Sequence, residues 1–320
     1  MKTVSELTDF YYKHLYSSLQ ELEEDRKKVK NQLIGVVALF TLVMGIIAIV
    51  FVSYHLSGEV LFGVGLFYIA GVGFIYRWLV KDYANDFKFK VIAPLIKAID
   101  KNLDYSPSLH VPSNYFINSK LSTSRPDRIT GNDYVRGKID GVNIQFSDLH
   151  VETKHKDSKG NEEYTTIFIG LFIVSEFNKN FHGRTVILPD TAQKAFGDYI
   201  GHLLQENNFH RADLVKMDNP AFEKEFVVYG TDQIEARYIL TPAFMEKLLI
   251  LKKRSKHPVS VSFVNKNIHI AIEYNKDLFE PSVFHSLLKY KIAMEYIQTL
   301  HLAVGIIEEL KLNKKLWSKL

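Results

Sequence analysis

Apolar and polar positions alternate along this chain in three different rhythms. Leu33 to Tyr54, LIGVVALFTLVMGIIAIVFVSY, contains no charged residue, and Val60 to Val80, VLFGVGLFYIAGVGFIYRWLV, contains only Arg77. About 20 apolar residues in a helix cross the hydrocarbon core of a bilayer. Core helices of soluble proteins seldom stay apolar on every face for so long. Both runs are therefore predicted to span a membrane, and the first is too long and starts too deep to be a cleavable signal. Only His55-Leu-Ser-Gly-Glu59 separates them, which forces an antiparallel hairpin. Arg26, Lys27, Lys28 and Lys30 flank one end, and Arg77, Lys81, Lys88 and Lys90 the other, whereas the loop has no lysine or arginine. The positive-inside rule then puts both termini in the cytoplasm. Gly63, Gly65, Gly71 and Gly73 permit close helix approach, and with it a homo-oligomer, although no strict GxxxG spacing occurs.

A helical rhythm frames this hairpin. Tyr11, Leu15, Leu22 and Val29 fall near heptad spacing before it, a seam interrupted by Ser18 and Asp25 that reads as a weak coiled coil or, in preference, as packing on the protein's own juxtamembrane helix. Phe89, Ile92, Ile96, Ile99 and Leu103 mark that helix, with Pro94 expected to kink it or to start a new helix. Near the end of the chain Ile292, Tyr296, Thr299, Ala303, Ile307 and Leu310 form the inner face of a long amphipathic helix, with Glu295, Gln298, Glu308 and Glu309 outside.

The third rhythm is that of strands. Tyr105 to Asn132, rich in Ser, Pro and Asn, is predicted as a connector with little regular structure. Asp140-Gly141 then turns a hairpin. Val142, Ile144 and Phe146 alternate before the phase slips to Leu149 and Val151, which predicts a bulge there. Asp157 to Gly160 is a further turn, Thr165 to Val174 a central strand, and Arg184 to Leu188 a strand stopped by Pro189. Helix is expected from there to Glu206, and again from Thr241-Pro242 to the basic run Lys252, Lys253, Arg254 and Lys256. Val259–Val264 and Ile268–Tyr274 read as a hairpin. The predicted fold is α+β, a two-helix transmembrane hairpin followed by antiparallel β-hairpins covered by helices. Its parts are an N-terminal cytoplasmic helix over 1–32, the hairpin over 33–80, a juxtamembrane helix over 81–105 and a cytoplasmic α+β domain over 106–320.

Composition narrows the chemistry. With no cysteine in 320 residues, disulfides, thiolate nucleophiles, iron–sulfur clusters and all-cysteine zinc sites are excluded. A net charge of +4 without a concentrated basic stripe argues against nucleic acid. The P-loop, nucleophile-elbow and HExxH patterns are missing, and the GxG pairs lie inside a membrane span, so no cofactor is called for. His150, Glu152 and His155 come nearest to a metal cluster, but on a regular strand His155 faces away from His150. They are expected to be surface residues and no metal site is predicted. The basic segments Lys252–Lys256 and Lys311–Lys319 could complete helix dipoles or touch anionic lipid.

One stretch mimics an active site. FEKEFVVYGTDQIEARYILTP, Phe222 to Pro242, crowds Glu223, Asp232, Glu235 and Arg237 around an apolar core. Its strand, its Gly230 turn and the three-residue spacing of Asp232 and Glu235 predict a capping box opening one short helix, with Arg237 pairing Glu223 or Glu225. The alternative is a catalytic carboxylate cluster, for ion-pair networks and active sites use the same residue types.

FHGRTVILP (Phe181 to Pro189), KMDNPAFEKEFVVY (Lys216 to Tyr229) and DQIEARYILTPAFMEKLLIL (Asp232 to Leu251), with Phe279-Glu280-Pro281 and Glu308-Glu309-Leu310, resemble the bacterial family catalogued as domain of unknown function 3137. The resemblance covers most of Lys81 to Lys319 and the preceding anchor. It implies a bacterial inner-membrane protein, encoded near a LemA-family membrane protein that could be its partner. It carries no catalytic residue. The expected function is a membrane-anchored cytoplasmic binding or scaffold protein; the alternative is a membrane-tethered enzyme acting on a lipid or lipid-linked substrate.

Overall fold

Helix α1 covers Val4–His14 and α2 covers Tyr16–Ser53. The segment expected as a separate N-terminal helix and the first apolar run are thus largely one uninterrupted helix. The link between them, Asp25 to Gln32, contains neither Gly nor Pro and is dominated by Lys, Arg and Gln, which favour helix. The second apolar run lies in α3, Gly58–Phe87. This computed structural model describes the chain outside residues 1, 55–57, 123, 157–159, 178–180, 191–212 and 311–320. The turn predicted at Asp157, the helix predicted to Glu206, most of the interhelical loop and the terminal basic segment lie largely or wholly outside the described residues.

The chain divides into two units: Ser5–Leu95 with Glu280–Ile297, and mainly Ile96–Phe279 with the chain from Gln298 onward. In the first, α2 and α3 are long and apolar enough to cross a membrane, and only 11% and 0% of their most apolar stretches are buried. They are candidate membrane spans and suggest membrane association. They meet where Phe40 stacks on Tyr68 at 5.6 Å and the Tyr68 hydroxyl lies 2.8 Å from Thr41 Oγ1. Gly71 allows this contact, since a Cβ there would come within 2.6 Å of the Phe40 ring.

After α3 the backbone widens to a π-turn over Lys88–Ile92, and α4 follows over Ala93–Ile99. The Ala93 N–H bonds to Lys88 O, and the helix runs on from Gly58 to Ile99, so Pro94, which has no N–H to donate, is accommodated just after the widened turn without a break in the helix. Ile92, Ile96, Ile99 and Leu103 are buried as predicted, but Phe89 is 61% exposed, because it lies within the π-turn. Tyr11, Leu15 and Leu22 of the N-terminal seam are buried. Their unit also includes Glu280–Ile297, held largely by side-chain donors to its backbone. Arg26 Nη1 donates to Val283 O at 2.7 Å, the Tyr11 hydroxyl to Leu287 O at 3.0 Å, and the Tyr296 hydroxyl to Glu280 O at 2.9 Å. Arg26 also grips Glu23 through two bonds of 2.9 and 2.7 Å, which holds the Glu23 carboxyl below its ordinary pKa.

Among the described residues, the second unit is built on a nine-stranded antiparallel sheet in the order β1-β2-β3-β4-β9-β8-β5-β7-β6. The strands are β1 Leu103–Ser106, β2 Arg128–Ile139, β3 Val142–Lys156, β4 Glu162–Glu176, β5 Arg184–Pro189, β6 Asp213–Leu214, β7 Phe226–Gly230, β8 Val259–Val264 and β9 Asn267–Glu273. Asp140 and Gly141 both have positive φ, 48° and 86°, the geometry of a tight two-residue turn. Helices α5 (Ser113–Ser119), α6 (Pro220–Glu223), α7 (Gln233–Ile239), α8 (Pro242–Ser255) and α9 (Tyr290–Glu309, continuing from the first unit) complete the described elements. The α+β class stands.

Two expectations need correction. The connector Tyr105 to Asn132 contains the end of β1, all of α5 and the start of β2. Its Ser- and Asn-rich composition hides Tyr115, Phe116 and Leu121, which pack on the sheet. The bulge opposite the phase slip belongs to β2, where Asn132 pairs Asp148 and Val135 pairs Phe146. Phe146 to Leu149 are all buried, so the slip in β3 records burial on both faces.

Phe116 of α5 lies 5.7 Å from Phe168 and 5.2 Å from Phe172, and these rings close a cluster with Val111, Leu149, Val151, Val174 and Ala271. Each such side chain contributes roughly 1.5–3 kcal/mol on burial. A second aromatic cluster joins Phe177, Phe181, Phe244 and Phe263, with ring centroids 5.2–6.5 Å apart.

Candidate functional site

The acidic stretch resolves into a folding unit. Asp232 caps α7, its Oδ1 accepting from Ile234 N at 2.9 Å and Glu235 N at 3.0 Å. The reciprocal half of the capping box is replaced by a longer-range contact. Glu235 is buried, and its carboxylate accepts from His182 N at 3.2 Å and Gly183 N at 2.8 Å. The FHGR and EAR motifs are therefore two sides of one contact. Thr231 adds to it: its hydroxyl accepts from Arg184 N at 2.8 Å, and its own N–H donates to Arg184 O at 3.0 Å.

Glu223 accepts from Met217 N at 2.9 Å, and Asn219 caps α6. Glu225 pairs with Lys252 of α8, whose ammonium also lies 5.6 Å from the Phe226 ring centre. Arg237 is exposed, and among the described residues neither Glu223 nor Glu225 pairs with it. The expected ion pair fails because Lys252 reaches Glu225 from a helix that local spacing did not bring into play. Glu223, Asp232 and Glu235 each turn their oxygens onto backbone N–H groups, and the four residues do not converge on a common space.

On β3, His150 Nε2 and Glu152 Oε1 come within 3.8 Å of each other, but each is also engaged elsewhere. His150 Nε2 lies 2.9 Å from Thr166 Oγ1, Glu152 takes Arg128 at 2.6 Å, and His155 faces Glu163 at 3.4 Å. Among the described residues no group of three or more His, Cys, Asp or Glu is arranged to hold a metal.

A more open site occupies one face of the sheet. Asp104 lies opposite Arg136, Arg136 opposite Gln145, Gln145 opposite Val174, and Val174 opposite His269. Beside this row, Lys138 lies opposite Asn143 and Glu176 opposite Asn267. Directly opposed side chains share a face with Cβ atoms about 4.5–5.5 Å apart. Strand alternation thus lays polar groups side by side across β1, β2, β3, β4 and β9. Helix α5 covers the Phe172 and Val174 part of this face, leaving Lys138, Asn143 and Glu176 exposed. The result is a groove of about 620 Å³, with Tyr115 and Tyr134 also in its lining, inside the range of about 300–1,000 Å³ common for small-molecule sites. The Tyr134 hydroxyl donates to Gln145 Oε1 at 2.7 Å and so orients that amide.

His269 closes the first row from within the core. It stacks on Phe172 at 6.2 Å, its Nδ1 is 3.4 Å from Ser262 Oγ, and burial lowers its pKa from 6.5 to about 4. The groove leaves little mark in the sequence. Tyr134, Arg136 and Lys138 do alternate, as do Asn143 and Gln145, but polar alternation on one strand face is also the mark of a solvated surface.

Residues 166–312 match a family described as "Protein of unknown function (DUF3137)", the family to which the FHGR, FEK, EAR and LTP motifs pointed. No curated protein matches the chain. Among solved structures, the chain is similar at 12% identity to "crystal structure of the mycobacterial trehalose monomycolate transport factor A, TtfA", with 65% of this chain and 89% of that one covered and a TM-score of 0.34.

Proposed function

We propose, for a chain whose residues 166–312 match the DUF3137 family, that it is a membrane-anchored binding protein. In this reading α2 and α3 cross the inner membrane of a bacterium as a hairpin, and the sheet stands on the cytoplasmic side with both termini. The exposed apolar surface of the two helices and the cationic flanks of the runs support this placement. A LemA-family protein is the membrane partner that the family resemblance implies.

The observation that carries the binding reading is the groove, in which strand register sets charged and amide side chains beside one another on an open face. Such a face can hold a ligand through several hydrogen bonds at once. The test is a ligand screen with the full chain in detergent, in which every probe is also recovered and characterised chemically. Bound probes should be recovered unchanged. Conversion of a bound probe would overturn the binding reading in favour of a tethered enzyme. Affinity purification of the full chain in mild detergent, followed by mass spectrometry, tests the LemA-family partner separately.

A further inference from the structure

We infer that the groove takes a neutral polyhydroxylated ligand, a saccharide; the inference rests on the binding reading above. Charge is the first argument. The lining carries two cations, Arg136 and Lys138, and two carboxylates, Asp104 and Glu176; Asp104 stands opposite Arg136 in register, although its ion pair is with Lys97 at 3.1 Å. An anion site gathers cations that are not neutralised and forks them onto the ligand, whereas this lining has no net charge to draw a phosphate or a carboxylate.

Hydrogen-bond capacity is the second argument. A hydroxyl both donates and accepts, and it is best met by groups of fixed, mixed character. Along the groove Lys138 can only donate, Glu176 when ionised can only accept, and Asn143 and Asn267 do both. Gln145 is already oriented, because its oxygen takes the Tyr134 hydroxyl at 2.7 Å and its NH2 remains to donate. Donors and acceptors thus follow one another at cross-strand spacing, an arrangement suited to the hydroxyls of successive sugar positions.

Tyr115 and Tyr134 supply the third argument: both are half-buried against the core and line the groove, so they give it an apolar wall with a polar edge, suited to the C–H face of a sugar ring. A bound peptide takes its affinity from apolar side-chain pockets or from pairing to a free sheet edge. Asp104 lies on the edge strand β1, but Arg136, Gln145 and Glu176 lie on the interior strands β2, β3 and β4, so most of the groove is remote from a free edge.

The test uses the full chain in nanodiscs prepared without sugar-based detergent, observed by saturation-transfer NMR. The probes are a panel of neutral di- and trisaccharides, inorganic phosphate, and one acidic and one basic heptapeptide. A neutral saccharide should bind, and Gln145→Leu and Asn143→Leu should each weaken it about tenfold, the exposed Asn143→Leu with the melting temperature unchanged. Nanodiscs carrying a neutral glycolipid separate the two sources of such a ligand: competition with the free saccharide assigns the site to a lipid-linked sugar, and its absence assigns it to a free one. If phosphate or a peptide binds in a manner weakened by the same substitutions and no saccharide does, the ligand class is overturned and the binding reading survives. If no probe binds at millimolar concentration, the saccharide inference is overturned. Conversion of a probe would instead overturn the binding reading itself.

Discussion

Removing the Glu235 carboxylate should destabilise the protein more than removing the side chain of Asp232 or Arg237. Glu235→Ala takes the acceptor away from two backbone donors, His182 N and Gly183 N, at 3.2 and 2.8 Å. A hydrogen bond to a charged group contributes about 1.5–3 kcal/mol, and a buried donor left unsatisfied costs about 1–3 kcal/mol. The two donors share one carboxylate, so a total near 3 kcal/mol is expected rather than the sum of two full terms. Asp232→Ala removes an N-cap at an exposed position, a loss of about 1 kcal/mol. Arg237→Ala removes an exposed side chain with no described carboxylate partner and should leave stability unchanged. For a unit of about 200 residues each kcal/mol moves the melting temperature by roughly 2–4 °C. The series should therefore read about 6–12 °C, about 2–4 °C and no shift, measured by circular dichroism on the full chain in one detergent. Glu235→Gln, which keeps one oxygen, should fall between the first two. If Arg237→Ala melts as early as Glu235→Ala, the clamp assigned to Glu235 is wrong and the four residues act as one network.

Burial of His269 makes the sheet sensitive to acid. The unfolded chain takes up a proton near pH 6.5 that the folded chain refuses until about pH 4, so this stability is full above pH 6.5 and is lost as pH falls through that window. The loss should reach about 3 kcal/mol, and His269→Gln should remove it from a plot of melting temperature against pH. Gly183→Ala should destabilise by about 1–3 kcal/mol, because the new Cβ would lie 2.8 Å from Thr231 Oγ1 and 3.1 Å from Glu235 Oε2; an unchanged melting curve would show that Thr231 can give way. In cells with a permeable outer envelope, an impermeant thiol reagent should label Glu59→Cys and spare Lys156→Cys; labelling of the second would reverse the proposed topology. A fragment starting at Lys81 lacks Tyr11 and Arg26, the donors to Leu287 O and Val283 O. Hydrogen exchange should then be fast over residues 283–297 and slow in β3 and β4, and equal protection in both would show that the N-terminal helices are dispensable for that segment.

What could be read from the chain depended on how far apart the cooperating residues lie. The two long apolar helices, the Asp140-Gly141 turn and the Asp232 cap are local events, settled by consecutive residues, and each is present in the structure. The α5 helix was missed because its polar residues outnumber the few that pack, and Phe89 was misplaced because a π-turn shifts helical phase without any mark in the pattern. The Glu235 clamp shows the same boundary inside one residue. Spacing identified the right side chain but gave it a partner three residues away, whereas its carboxylate binds the backbone of His182 and Gly183, more than 50 positions earlier.

The groove lies furthest beyond that boundary. Arg136 and Gln145 are brought together by one hairpin turn, so half of the floor is encoded within β2 and β3. Glu176 meets Asn267 only because β9 inserts beside β4, ahead of β8 and β5 in the sheet order. That pairing is fixed by burial of Leu171, Ile173, Ile270 and Ile272, apolar residues that take no part in the groove. The energy that forms the site therefore comes from the core, while the side chains that give it chemical character are carried on the opposite phase of the same strands. Substitutions at Lys138, Asn143 or Glu176 should accordingly change binding at little cost in stability, since each of these side chains is exposed and surface changes usually stay within about 0.5 kcal/mol. Shortening Ile173 or Ile270 to alanine should do the reverse, at roughly 2–5 kcal/mol each, and should loosen the groove only in step with the fold. A Glu176→Gln variant that melts several degrees below the parent would break this separation of roles and mark the groove as part of what holds the sheet together.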